Sequence, residues 1–550
     1  MSENLNIAQC LKEEAARQPR NRAVIFKNGY EPDGNPSYVH YTFEQLDRRS
    51  DFLAWGLKRQ GMTPGMTVLL MIRPSLDFYA LVFALFKLGA VPVMIDPGMG
   101  WTGFLACVEQ VAPEGFIGVP AAQLLRIFCS KPFASVKVNI TLGRNGWLGG
   151  CPLGRLQGIE APFEVYSPQP GETAAVLFTS GSTGPAKGVT YTHDIFNTQL
   201  KILRSEYGIG PGEMDLACFP LFSLFTVGLG ACAVIPQIDP THPALATPLE
   251  IIEPIQHLGI TYSFGSPTLW DRISRYCVSH KIKLPGLKRI IMAGSPVPGR
   301  VHEALLTHVL DEDAETFTPY GATESLPVAN FRGSEMLAET RSATDKGAGM
   351  CVGKPLAINQ VRIIKITDEP IATWDDTLVL PTGEIGEICV KGPVVTREYY
   401  KRPDATSLAK IQDGNDIWHR IGDLGYFDEK GRLWFCGRKA HRVETGGVTL
   451  HSVRCEALFN VEPGVRRSAL VGVGKRPNQT PVIVIEPEPD SFNKLASDEK
   501  HFLEIASQNP MTAPIKHVLF HRSFPVDVRH NAKINREQLA KWAEELVKPK

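Results

Sequence analysis

The sequence predicts an α/β protein: a large N-terminal domain of helix-covered mixed sheets, then a small β unit and a small α+β C-terminal domain. Three observations carry this. Short apolar runs alternate with helix-length stretches through the first half of the chain, the pattern of parallel strands covered by helices. From residue 361 the apolar runs shorten and are separated by Gly, Asp and Pro, as antiparallel strands with tight turns require. The final stretch mixes both patterns and closes on a helical period from Arg536.

The elements follow in order. Tyr41-Thr42-Phe43-Glu44-Gln45-Leu46 puts Thr42 at a helix N-cap with Gln45 three residues on, the spacing of a capping box. Residues 68–72 (VLLMI) predict a buried strand, 76–88 a buried helix, and 91–95 a strand ending at Asp96-Pro97. Residues 174–178 (AAVLF) predict another buried strand. The alternation continues through 261–264, 289–292 and a loop after Pro319. Residues 361–364, 386–390 and 433–436 predict the antiparallel unit, and 468–473 and 481–486 the C-terminal strands. Residues 216–238 carry no charge, but Pro220, Pro236, Gly228 and Gly230 interrupt them, so a buried helix beside an apolar pocket is expected rather than a membrane span.

Composition narrows the function. The 58 basic residues balance the 58 acidic ones, so no global field draws the chain to nucleic acid or an anionic membrane. The 11 cysteines include no CxxC, which argues against a zinc site or a disulfide framework and for reduced thiols in the cytoplasm. Residues 1–20 carry acids and lack an apolar core, unlike a signal peptide.

The densest chemical signal is Thr179-Ser180-Gly181-Ser182-Thr183-Gly184-Pro185-Ala186-Lys187, directly after the 174–178 strand. A strand opening into such a loop aims backbone N–H groups, hydroxyls and an ammonium at a phosphate chain. The spacing is not that of a Walker A loop. Further along come Ala293-Gly294-Ser295-Pro296, Tyr320-Gly321-Ala322-Thr323-Glu324, Gly383-Glu384-Ile385-Gly386-Glu387, Gly422-Asp423, Gly437-Arg438 and Lys533. In this order the set resembles the acyl-adenylate-forming superfamily of acyl-CoA synthetases, luciferases and adenylation domains, over essentially the whole chain.

The resemblance implies an ATP- and Mg²⁺-dependent enzyme that activates a carboxylate as its adenylate. Charge builds on phosphate oxygens in that step, so donors, a cation and a metal are needed. By the resemblance, Thr179, Ser180, Gly181, Ser182, Thr183, Gly184 and Lys187 hold phosphates, and Glu324 holds Mg²⁺. Tyr320 offers an aromatic face to adenine, with Gly321 and Thr323 beside it and Gly294 and Ser295 on the other side. Asp423 and Arg438 serve the ribose. Lys533, with Thr179 and Glu324, is assigned to catalysis. The family hinge lies at Gly437-Arg438, which implies an N-terminal domain over 1–439 and a mobile C-terminal domain over 440–550.

The departures cluster on the second half-reaction. The hinge residue, ordinarily Asp or Lys, is Ala440. The run that shapes the pantetheine tunnel of acyl-CoA synthetases is here His451-Ser452-Val453-Arg454-Cys455-Glu456, with Ser452 for proline and Arg454 for the first glutamate. A histidine bordering many acyl pockets is replaced by Ser223. The 438–445 and 527–534 segments resemble the olefin β-lactone synthetases. That implies a long-chain 2-alkyl-3-hydroxy acid substrate, and a reductase and a β-lactone decarboxylase as pathway partners. A nucleic-acid partner or a transmembrane segment is not expected. His193 is weighed as a base for ring closure against a structural role. A medium- or long-chain fatty acyl-CoA synthetase is the alternative.

Overall fold

The computed structural model describes residues 4–143, 148–179, 186–219, 221–239, 242, 245–526 and 533–547. The chain divides into two compact units. One is Met1–Ile291 with Val309–Ala314 and Pro393–Thr406; the other is Met292–His308, Glu315–Gly392 and Ser407–Lys550.

The first unit holds two helix-covered sheets. In one, the strands Cys151–Pro152, Val138–Thr141, Gly115–Gly118, Thr67–Met71, Val91–Met94, Thr173–Thr179 and Lys187–Thr192 lie side by side. All pair in parallel except the last, which runs back against Thr173–Thr179. Leu69, Val93, Phe104, Phe116 and Val176 form its core. In the other sheet Tyr262–Gly265, Met214–Ala217, Cys232–Ile235, Arg22–Tyr30 and Pro36–Thr42 are neighbours. The helix Phe43–Arg59 starts on the predicted capping box of Thr42 and Gln45. The helix Leu76–Leu88 ends on Gly89 at φ +78°, where a Cβ would meet the Tyr166 ring at 2.5 Å, so only glycine fits. Fully buried Lys87 ties the two helices together through Asp51 at 2.5 Å and Asp47 at 2.6 Å.

The uncharged segment 216–238 is not one buried helix. It is the end of the strand Met214–Ala217, a short helix Ser223–Gly228 and the strand Cys232–Ile235. Gly228 and Gly230, the latter at φ +79°, end the helix within two turns, and the run Cys232–Ile235, with β-branched Val234 and Ile235, then pairs with Met214–Ala217 and Arg22–Tyr30. Apolar character predicted burial correctly here; it carried no information on period.

The second unit contains an antiparallel hairpin, Glu315–Ala322 against Ser325–Arg332, so the residues after Pro319 continue a strand instead of forming the expected loop. An antiparallel sheet follows in the order Met350–Cys351, Leu433–Arg438, Asp416–Phe427, Gly386–Lys391, Gln360–Ile364, with Lys410–Asp413 paired to Asp416–Phe427. This is the predicted β unit. Farther on, Val465–Val473, Thr480–Pro487 and His517–Phe520 form a three-stranded sheet packed with the helices Ser452–Asn460, Glu499–Gln508 and Arg536–Val547. Its two cores, around Phe459 and Phe502 and around Val484 and Leu539, draw only on residues 443–547. Among the described residues all 11 cysteines are free thiols.

A buried polar chain lies under the short helix. Tyr262 Oη donates to Thr226 Oγ1 at 3.0 Å, and Thr226 Oγ1 donates to Asp215 Oδ2 at 2.7 Å. Burial pushes the Asp215 carboxyl up to about 7, and the Thr226 hydroxyl and Phe264 backbone offset this only in part. An unfolded aspartate titrates near 3.9. Between about pH 4 and pH 7 the folded chain therefore binds the extra proton, and stability falls as pH rises through that window. Asp215→Asn is expected to melt about 2 °C or more above the parent at pH 8, with the gap closing below about pH 4. Calorimetric scans across pH check this; a gap independent of pH contradicts it.

Candidate active site

The second unit brings three separated motif residues into contact. Asp423 and Arg438 sit opposite each other on the antiparallel strands Asp416–Phe427 and Leu433–Arg438. Arg438 Nη1 donates to Asp423 Oδ1 at 2.7 Å and to the Ile421 carbonyl at 3.2 Å. Tyr320 Oη, from the hairpin, donates to Asp423 Oδ2 at 2.7 Å. Asp423 is buried, at 5% exposure. Its charge holds the Arg438 guanidinium well above its ordinary range, while burial and the same carboxylate hold the Tyr320 phenol up. The result is a neutral phenol and a guanidinium fixed on one carboxylate, which keeps lone pairs for two more donors.

Local structure explains the placement. Gly321 interrupts the hairpin register between Tyr320 and Ala322. A Cβ there would lie 2.6 Å from the Ser325 carbonyl oxygen, so the turn that carries Thr323 and Glu324 closes only over glycine. Glu324 is half-buried and lies within electrostatic reach of Arg438 and of Lys410. Gly294, at φ +99°, and half-buried Ser295 follow the strand Arg289–Met292.

The phosphate-loop residues Ser180, Gly181, Ser182, Thr183 and Gly184 lie outside the described residues, as does the side chain of Thr179. The backbone pairs Thr179 with Lys187 across the base of that loop. The half-buried Lys187 ammonium stands over the Tyr399 ring, 4.9 Å from its centroid. Lys533 is half-buried, one residue before Ile534, whose backbone bridges Val526.

Lys410 is a site-proximal residue that sequence reasoning missed. It lies opposite His419 across antiparallel strands and is 4% exposed. Burial lowers its ammonium to about 7, opposed in part by Glu324. A lysine between Ala409 and Ile411 carries no motif, and only the fold brings it near Glu324. His193 has the structural role: its Nδ1 accepts the Ile7 amide at 3.1 Å, and burial lowers its pKa to about 4. Ser223 hydrogen-bonds Tyr79.

The run 451–456 is tied into its surroundings. Gly437, at φ +129°, packs closely on Ser452: a Cβ there would lie 2.4 Å from Ser452 Oγ. Arg454 Nε donates to the Gly347 carbonyl at 2.8 Å. Buried Glu456 accepts the Leu470 amide at 2.8 Å, and its two oxygens share Arg536 Nη2 at 2.6 and 2.8 Å.

An α/β scaffold with a strand-borne Tyr–Asp–Arg cluster and a lysine-closed strand loop defines a nucleotide-handling enzyme class. The chain belongs to the AMP-binding enzyme family, whose model matches residues 11–400. It is 44% identical to the olefin beta-lactone synthetase of Stenotrophomonas maltophilia strain K279a, over 99% of each chain. It is likewise 44% identical to the olefin beta-lactone synthetase of Xanthomonas campestris pv. campestris, over 98% of this chain and 97% of that one. Among solved structures, O-succinylbenzoate coenzyme A synthetase (MenE) of Bacillus subtilis, in complex with ATP and magnesium ion, shares the fold. Its TM-score is 0.74 at 20% identity, covering 96% of this chain and 98% of that one.

Asp423→Ala removes the shared acceptor and leaves both Tyr320 and Arg438 without it. AMP affinity is expected to fall at least about tenfold, the worth of one hydrogen bond to a charged group. Calorimetric titration with AMP, alongside an unchanged far-ultraviolet circular dichroism spectrum, checks it; unaltered affinity removes Asp423 from the nucleotide site.

Proposed function

We propose that this chain is an ATP-dependent β-lactone synthetase of olefin biosynthesis. It adenylates a long-chain 2-alkyl-3-hydroxy fatty acid and closes it to a cis-β-lactone. The observation that carries the reading is 44% identity to olefin beta-lactone synthetase over 99% of both chains. The substitutions at Ala440, Ser452 and Arg454 support it, because they alter the residues that acyl-CoA synthetases devote to the thioester step.

The chemistry runs in two steps. A carboxylate oxygen of the acid attacks the α-phosphorus of ATP, and pyrophosphate leaves. The 3-hydroxyl oxygen of the same substrate then attacks the acyl carbon. The bond from that carbon to AMP breaks, AMP departs, and the hydroxyl proton passes to solvent.

The residues take roles accordingly. Asp423 accepts the ribose hydroxyls with the lone pairs that Tyr320 and Arg438 leave open. Tyr320 lies along adenine, with Gly294, Ser295, Gly321 and Thr323 around it. Thr179, Ser180, Gly181, Ser182, Thr183, Gly184 and Lys187 take the phosphates. Among the described residues no group of three or more metal-ligating side chains exists. A lone Glu324 carboxylate therefore suits Mg²⁺, a cation that keeps its waters and takes its other ligands from phosphate. Mg²⁺ would neutralise charge on the phosphate oxygens. Lys533 offsets the charge that builds on the α-phosphate.

Residues 440–550 act as a mobile domain that carries Lys533, a reading supported by cores confined to residues 443–547. No helix among the described residues is long and apolar enough to cross a membrane. We place the enzyme in the cytoplasm, beside the pathway reductase and β-lactone decarboxylase.

Lys533→Ala is expected to retain ATP binding while slowing adenylate formation at least about a hundredfold, the scale of one lost transition-state contact. ATP–pyrophosphate exchange measures it, and near-normal exchange rules Lys533 out. For the reaction itself, the 3-hydroxy acid is compared with its 3-deoxy analogue, with and without CoA, by mass spectrometry and NMR. A four-membered lactone without CoA from the hydroxy acid alone is expected. Efficient thioester formation from the deoxy acid with no lactone from the hydroxy acid would make the enzyme an acyl-CoA synthetase.

A further inference from the structure

The helix Pro120–Phe128 has two apolar faces. Its inner face is fastened to the sheet: Ala122 and Gln123 are buried, Leu125 packs on the core, and Gln123 Nε2 donates to Asn139 Oδ1 at 2.8 Å and the Ile140 carbonyl at 3.0 Å. Its outer face should be polar. Instead Leu124, Ile127 and Phe128 stand there at 39%, 45% and 81% exposure, Phe128 being the most exposed large hydrophobic among the described residues. The spacing i, i+3, i+4 makes them one contiguous stripe. Scattered apolar side chains need no explanation; a stripe on a rigidly anchored helix does.

The stretch of sequence that carries the stripe is basic. From residue 115 to residue 159 the sequence holds no Asp or Glu, while Arg126, Lys131, Lys137, Arg144 and Arg155 fall within it. In a chain whose net charge is zero, this is a local basic excess. Arg126 donates to Gln123 Oε1 at 3.1 Å and to the Leu148 and Gly149 carbonyls at 3.2 Å, none of them a carboxylate. Lys131 and Lys137 pair with Glu109 at 3.0 Å and Glu114 at 2.6 Å, yet remain 86% and 69% exposed. Pairs that exposed are weak and exchange readily for another anion.

We propose that the helix Pro120–Phe128 is a peripheral docking face for an anionic lipid surface. Leu124, Ile127 and Phe128 enter the acyl boundary while Arg126, Lys131 and Lys137 meet lipid phosphates. An apolar face flanked by basic residues is the chemistry that lays a surface helix on a bilayer without spanning it. A substrate with two long alkyl chains partitions into such a bilayer, so docking would put the enzyme where its acid is. That purpose rests on the β-lactone reading; the docking itself does not.

The test uses the full-length protein with two sets of vesicles, phosphatidylglycerol with phosphatidylcholine, and phosphatidylcholine alone. Co-sedimentation with the anionic vesicles is expected, weaker at high salt as a screened attraction requires. The double variant Ile127→Ser, Phe128→Ser is expected to bind them at least about tenfold less, with unchanged ATP–pyrophosphate exchange on a short, water-soluble acid. The idea is overturned if the parent stays in the supernatant, or if the variant sediments equally well. It is also overturned if gel filtration shows that the stripe joins two copies of this chain and the dimer ignores lipid. Because sedimentation needs no catalysis, failure of the lactone reaction would leave this result standing.

Discussion

One carboxylate organises the candidate site. Asp423 is buried on a central strand of the β unit, where an unpaired charge would be strongly destabilising. Two donors from two other elements satisfy it: Arg438 across the strand pair and Tyr320 from the hairpin. The requirement runs both ways. Asp423 fixes where the hairpin tip can sit, and so fixes Glu324, which is carried on the turn that Gly321 permits. It also fixes Arg438, the last ordered strand residue before the chain leaves the β unit. The same bonds that stabilise the carboxylate therefore set the position of Glu324 on one side and of Arg438 on the other.

Beyond Arg438 a second set of ion pairs confines the bend. Lys439 donates to the Thr367 carbonyl at 2.8 Å and pairs with buried Glu387 at 3.0 Å, which also holds Arg420 at 2.7 Å. Three residues on, Arg442 pairs with Asp368 at 2.6 Å and Glu444 at 2.7 Å. Ala440 and His441 lie between these anchors in a single 3-10 turn. If the proposed domain motion turns here, the Ala440 side chain adds no polar contact of its own, and the contacts at the bend are those of the flanking pairs. Of these, the Lys439 pair rests on a buried carboxylate, while the Arg442 pair with Asp368 reaches the surface.

The sequence was legible where a local rule decides the outcome. The capping box at Thr42, the bounds of the helix Leu76–Leu88, the strand Arg289–Met292 and the start of the last helix at Arg536 all follow from caps and periodicity. The convergence of Tyr320, Asp423 and Arg438 was anticipated only through motif order, since nothing in their spacing sets a distance. Two things could not be read. In 216–238 every residue is uncharged, so burial is evident while the period is lost, and glycine placement decided between helix and strand. Lys410 sits in an ordinary strand run, and its importance is purely spatial: burial beside Glu324 arises from a cross-strand register that the sequence does not announce.

The division between retained and altered residues has a chemical logic. A CoA-dependent second step needs a tunnel for an external thiol and a domain orientation that opens it. A hydroxyl carried on the substrate needs neither, because tethering supplies an effective molarity on the order of 10⁵ M or more when the geometry is right. What ring closure does need is a dry, shaped space, since an acyl-adenylate left in water hydrolyses. On this view Ser452 and Arg454 are free to serve as scaffold, Ser452 packed against Gly437 and Arg454 bonded to the Gly347 carbonyl, in place of lining a path for pantetheine. The residues proposed for adenylation have no such freedom. Activating the carboxylate costs the same chemistry whatever nucleophile follows, and the cluster around Asp423 persists where the thioester elements have changed.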